Sequence, residues 1–170
     1  MATTRTSSRP IVGILFIIAG ALVLLGLLLH YAAPTAAPTW LSLLVYLALG
    51  VAFLLMALSK SMNVLERVAY IVGAVGWLLL ALNGLVALST LVTVAMILAL
   101  VGSLAAGILV WMHSTFTRQT NLWFLIAMII TAVYVLNLLV PFATGALGTV
   151  LVLLFGAALV VAGFFVLRRH

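Results

Sequence analysis

The sequence contains no cysteine. That excludes disulfides, thiolate catalysis, cysteine-ligated zinc and iron–sulfur clusters. It contains one acidic side chain, Glu66, in 170 residues, and charged residues of either sign make up only 5% of the chain. A soluble globular domain carries about 25% charged residues, because its surface must face water. With 68% hydrophobic residues here, water is not the solvent this surface is built for. Disorder is excluded by the same number, since disordered chains are poor in hydrophobic residues.

What charge there is, is basic, with a formal net charge of +6. Arg5, Arg9, Lys60, Arg67, Arg118, Arg168 and Arg169 stand in ones and twos. A nucleic-acid face needs its cations gathered, so no nucleic-acid partner is expected. Scattered cations flanking apolar runs instead orient a membrane protein and touch anionic headgroups, so membrane lipids are the expected partners.

Polar breaks divide the chain into six apolar runs, at Ile11–Leu29, Trp40–Leu58, Val68–Leu88, Leu91–Met112, Leu122–Val140 and Ala146–Leu167. At about 1.5 Å per residue, each run matches a hydrocarbon core of about 30 Å. Fourteen residues of the first run are Ile, Leu, Val or Phe, favouring insertion by about 4–8 kcal/mol. That run is too long for a signal-peptide core and reads as a retained helix. Barrel strands would be shorter and would alternate apolar with polar residues. The expected fold is therefore all-α, a single polytopic transmembrane domain of six helices. Thr39, Ser89 or Thr90, and Thr144 stand where caps of the even-numbered helices fall.

Charge tests the count independently. Lys and Arg occur in the N-terminus, in 59–67, in 113–121 and in the C-terminus, and are absent from 30–39, 89–90 and 141–145. That alternation is what six crossings predict, with both termini cytoplasmic.

A repeat runs through the chain. Leu82-Asn83-x-Leu85-Val86 is echoed by Leu136-Asn137-x-Leu139-Val140, 54 residues later. Gly50, Gly102 and Gly156 follow similar apolar quartets at spacings of 52 and 54. The pattern predicts three tandem hairpins, about 10–60, 67–113 and 121–168, in parallel topology. Gly13, Gly20 and Pro34 in the first unit, with Pro141, Gly156, Gly163 and Arg168-Arg169 in the third, resemble the HdeD-like family of short-repeat membrane proteins. The middle unit departs, having Leu88 and no proline at its turn. The resemblance implies a bacterial inner-membrane protein linked to acid or general stress, without known catalytic residues.

Reactive groups are sparse. Glu66, His30, His113 and His170 all fall in loops or at the tail, and Glu66 beside Arg67 reads as a solvated interfacial pair. His30 and His113 stand about a bilayer thickness apart, roughly 30 Å, and cannot share a metal. No enzymatic activity, cofactor or metal is expected. No ionisable residue lies at membrane depth, which argues against coupled transport. The best buried polar residues are Asn83, Asn137, Thr93, Ser103, Thr131 and Tyr134.

Asn83 and Asn137, each about 24 Å up its helix, read either as a polar constriction or as helix-end hydrogen bonding. Trp77, about 15 Å deep, reads as core packed on Gly73 and Gly76, or as the wall of an apolar pocket. Trp40, Trp111 and Trp123 fit interfacial anchors. Gly13 and Gly20, Gly156 and Gly163, Gly102 with Ala106, and Ser103 with Gly107 have helix-packing spacing, serving internal packing more readily than a homo-oligomer.

The expected function is a non-enzymatic membrane protein acting through lipid or membrane-protein contacts, with a passive channel or carrier for a small neutral solute as the rival. Single cysteines in this cysteine-free background test the topology. Thr35→Cys is expected to label from outside the cell, and Ser61→Cys, Thr117→Cys and His170→Cys only from the cytoplasmic side.

Overall fold

The structure is a computed structural model that describes residues 9–32, 40–59, 62–86, 89–113 and 115–168. Six helices follow in order: α1 (Arg9–Ala32), α2 (Trp40–Ala57), α3 (Val64–Asn83), α4 (Ser89–His113), α5 (Arg118–Leu139) and α6 (Gly145–Leu167). All six are long and apolar enough to cross a membrane, and in hydrocarbon a helix satisfies its own backbone. Pro34, Thr35, Pro38, Thr39, Lys60, Ser61, Leu88 and His170 lie outside the described residues.

Helix ends differ from the apolar runs where charge was read as a stop. The third helix begins at Val64, not Val68, and ends at Asn83, not Leu88. Its first turn contains Glu66, whose carboxylate favours the positive end of the helix dipole. Gly84 closes it with turn hydrogen bonds to the carbonyls of Leu80 and Ala81. The first helix runs on to Ala32, so His30 is helical rather than in a loop. Thr144 precedes α6 in extended conformation but makes no side-chain capping bond. Thr117 does cap, accepting a hydrogen bond from the Thr120 amide at 3.4 Å.

The helices form a closed ring. Each packs against its neighbours in sequence, α1 packs against α6, and among the described residues no other helix pair is in backbone contact. The ring leaves Arg9, Arg67, Arg118 and Arg168 at one end, the basic end. Large apolar side chains point outward on every helix, among them Ile14, Leu54, Ile71, Ile97, Ile129 and Leu153. In water this surface would associate; hydrocarbon is the solvent that fits it.

Three seams are close enough to require glycine. On α1 and α6, Gly13 faces Gly163 and Gly20 faces Gly156 in antiparallel register. A Cβ added at Gly13 would lie 2.8 Å from the Gly163 carbonyl oxygen, and one at Gly20 2.5 Å from that of Gly156. On α3 and α4, Gly73 faces Gly102, and Gly76 abuts the backbone of Ala99. Gly107 packs on Met128 of α5, where a Cβ would lie 2.6 Å from that residue's Cβ. Lipid supplies no hydrophobic drive between helices, so such backbone approach is what holds a bundle together.

The ring's interior near the basic end is filled by aromatic side chains. Phe16 contacts Phe53 and Phe124, with ring centroids 6.3 and 5.9 Å apart. Tyr70 closes the set, 5.4 Å from Phe53 and 6.3 Å from Phe124. All four are fully buried, so this half of the ring is plugged.

Gly76→Val forces a side chain into the α4 backbone and is expected to cost about 1–3 kcal/mol or more. Thermal denaturation of the purified protein in detergent should show it as a lowered Tm. An unchanged Tm would contradict the seam.

Candidate functional site

At the opposite end, the end without Lys or Arg, the ring is not filled. An open cavity of about 360 Å³ lies among the ends of α1, α2 and α6 and reaches Tyr134 of α5. This is within the size range of small-molecule sites.

Its floor is a pair of tyrosines. The hydroxyls of Tyr46 and Tyr134 hydrogen-bond to each other across the ring. Both rings are pinned from behind. Tyr134 stacks on Phe155 at 4.2 Å and 8°. The Tyr46 ring lies 5.7 Å from that of Trp77, whose indole N–H donates to Ser103 Oγ at 3.2 Å. The walls are apolar, with Leu22, Val23 and Leu27 of α1, Leu41 and Val45 of α2, and Val152 of α6. Polar groups gather at the rim, where His30, Ser42 and Thr149 line the opening. The Tyr31 hydroxyl hydrogen-bonds Thr149 and ties the end of α1 to the start of α6.

Gly26 also lines this cavity. A Cβ there would meet only the Leu41 Cδ1, at 3.9 Å. The seam glycines are crowded; this one faces space.

The residues singled out in the sequence are dispersed. Tyr134 is in the cavity floor. Trp77 is fully buried in the core and stands behind Tyr46 rather than on the lining, while a Cβ at Gly73 would meet Phe53 and one at Gly76 the backbone of Ala99. Asn83 ends α3, half-buried and away from the cavity. Asn137 holds the turn into α6. Its Oδ1 accepts from the amides of Phe142 and Ala143 at 3.1 and 2.7 Å, and its Nδ2 donates to the Ala143 carbonyl at 3.3 Å. That turn ends at Gly145, whose φ of +57° suits glycine. Thr131 donates to the Ala127 carbonyl within its own helix, and Thr93 is exposed rather than buried.

Three polar cavity residues escaped sequence reasoning, Ser42, Tyr46 and Thr149, and His30 was noted only as a group in a loop. A signal existed. Gly26 and His30, and Ser42 and Tyr46, are four apart and therefore share helix faces.

The basic end holds a second polar cluster, and it corrects the reading of Glu66. This carboxylate is buried, 1% exposed, and is not a solvated partner of Arg67. Glu66 Oε1 accepts from Thr115 Oγ1 at 2.9 Å and lies 3.1 Å from His113 Nδ1. Arg67 instead donates to the Ser59 carbonyl at 3.5 Å. Helix α3 starts early enough to carry Glu66 inside, where a carboxylate must find partners. Asn121 secures the same corner, accepting from the Phe116 amide at 2.9 Å. Tyr70, one turn beyond Glu66, has a buried hydroxyl with no partner among the described residues. Among the described residues no three His, Asp or Glu side chains converge on a possible metal position.

These features define a polytopic α-helical membrane protein whose one-ended cavity is floored by tyrosines. No family model, curated protein or solved structure matches the chain.

Asn137→Leu strands two backbone amides and is expected to destabilise the protein by about 1–3 kcal/mol, read as a lower Tm. Full retention of Tm would show that the turn does not depend on this side chain.

Proposed function

We propose that this chain is a non-enzymatic integral membrane protein that acts through lipid contacts, by holding a small neutral or amphipathic molecule in the cavity. The observation that carries this reading is the cavity's blind shape. It is open at one end, floored by the Tyr46–Tyr134 pair, and backed by the packed cluster of Phe16, Phe53, Tyr70 and Phe124. A continuous solute path would have to part both layers.

The positive-inside rule supports a cytoplasmic basic end, which turns the cavity outward. A bacterial inner membrane and a part in envelope or acid stress are supported by the resemblance to the HdeD-like proteins alone. The three-hairpin repeat has support in the packing. Gly50 abuts Leu78 and Gly156 abuts Leu24, and those leucines stand 54 residues apart, the spacing of Asn83 and Asn137. The rival reading is a passive carrier for a neutral solute, favoured by the polar rim of His30, Ser42 and Thr149.

One pair of measurements separates the two. Val45→Cys places a unique thiol in the cavity wall. A lipid extract of the native membrane is expected to slow its reaction with a small maleimide by about tenfold, and delipidation to restore it. Glycerol flux in proteoliposomes is expected to match protein-free vesicles. Unprotected Val45→Cys would overturn the holding role, and protein-dependent glycerol flux would establish the carrier.

A further inference from the structure

We infer that the molecule held in the cavity is an uncharged amphiphile, bearing a hydroxyl or carbonyl head, that arrives sideways from the surrounding lipid between α1 and α2. This rests on the proposed holding role and deepens it by naming the ligand class and its route.

The route is drawn by a second hollow. A groove of about 250 Å³ runs on the lipid-facing side between α1 and α2, lined wholly by apolar residues that include Leu15, Ile18, Leu44 and Val51. Leu22 belongs to the wall of both hollows. The groove lies nearer the middle of the membrane, and the cavity nearer the end without Lys or Arg. A lipid-like molecule lying along α1 therefore places its tail in the groove and its head in the cavity, on either side of Leu22.

The head is specified by what surrounds it. His30 brings an exposed imidazole to the rim, the Thr149 hydroxyl there is engaged with Tyr31 and the Gly145 carbonyl, and no Lys, Arg, Asp or Glu is among the lining residues. A phosphate or ammonium head drawn into the apolar cavity would meet no Lys, Arg, Asp or Glu there, and burying an unpaired charge costs several kcal/mol. A hydroxyl or carbonyl needs only a hydrogen bond, which the His30 imidazole can supply.

Gly26 makes the room. Glycine is a poorer helix former than alanine by about 1 kcal/mol, and no neighbouring backbone demands it here, since a Cβ would touch only Leu41 at 3.9 Å. Its missing side chain is cavity volume. Gly26 is thus a specificity-determining residue for the ligand.

The test uses the full chain in phosphatidylcholine nanodiscs with a photoreactive hexadecanol carrying a diazirine on its chain, adducts being mapped by mass spectrometry. Adducts are expected in the α1–α2 groove and the cavity wall, competed by unlabelled hexadecanol and not by glycerol or hexadecyl phosphate. Gly26→Phe, whose added atoms enter open space, is expected to keep its Tm and lower labelling by about tenfold or more. Leu44→Trp, on the lipid-facing side, fills the groove and is expected to slow labelling by a similar factor, about tenfold.

Adducts scattered evenly over the outer surface would overturn the inference, as would labelling indifferent to both substitutions. Competition by hexadecyl phosphate equal to that by hexadecanol would refute an uncharged head. If glycerol protects Val45→Cys while hexadecanol does not, the cavity still holds a ligand and only this assignment falls. If neither these compounds nor the native lipid extract protects it, the holding role falls as well.

Discussion

Contact between helix backbones is the interaction on which the rest of this structure depends. In water, apolar helices associate to escape the solvent; in hydrocarbon that drive is missing, and close packing must replace it. The chain meets this requirement at Gly13–Gly163, Gly20–Gly156 and Gly73–Gly102, where a single added carbon has no space. The first of these seams joins the two ends of the chain. It converts a row of hairpins into a ring, and only a ring has an interior that can be plugged at one end and hollow at the other.

The two ends are built from different chemistry. At the basic end, aromatic rings fill the centre, Glu66 ties the start of α3 to His113 and Thr115, and Asn121 braces the α4–α5 corner through Phe116. Those polar groups are spent on one another, while the Tyr70 hydroxyl beside them has no partner among the described residues. At the far end, Tyr46 and Tyr134 satisfy each other below the opening, and the rim groups above them face a space of about 360 Å³. The cavity exists because small and medium side chains, with Gly26 among them, stand where Phe and Tyr stand at the other end.

Much of this was legible in the sequence, for a physical reason. Spanning a bilayer requires long apolar runs, so the six helices announce themselves by length alone. The seven-residue spacing shared by Gly13/Gly20 and Gly156/Gly163 carried the close seam, although the pairing of first helix with last required the three-dimensional ring. Boundaries failed where polarity was taken for exposure. Glu66 lies inside a helix and inside the protein, because Thr115 and His113 reach it from fifty residues away. Asn137 lies in the last turn of α5, and its amide is used up by the turn beside it. The cavity was least legible, since a helix face lining a hollow and one lining a seam are written in the same Leu, Val and Gly; Tyr134 was flagged, and its partner Tyr46 was hidden in an apolar run.

The central claim is the closure of the ring, and it can be read without altering a residue. A Cβ at Gly20 would sit 2.7 Å from Val160 Cγ2, so a Gly20 α-proton lies against that methyl group. In isotope-labelled protein in nanodiscs, a strong intramolecular nuclear Overhauser effect between the Gly20 α-protons and the Val160 methyl is the expected result. If the Gly20 α-protons instead show effects only to lipid acyl chains, or reach Val160 only between differently labelled chains, α1 and α6 do not meet within one molecule and the closed ring is wrong.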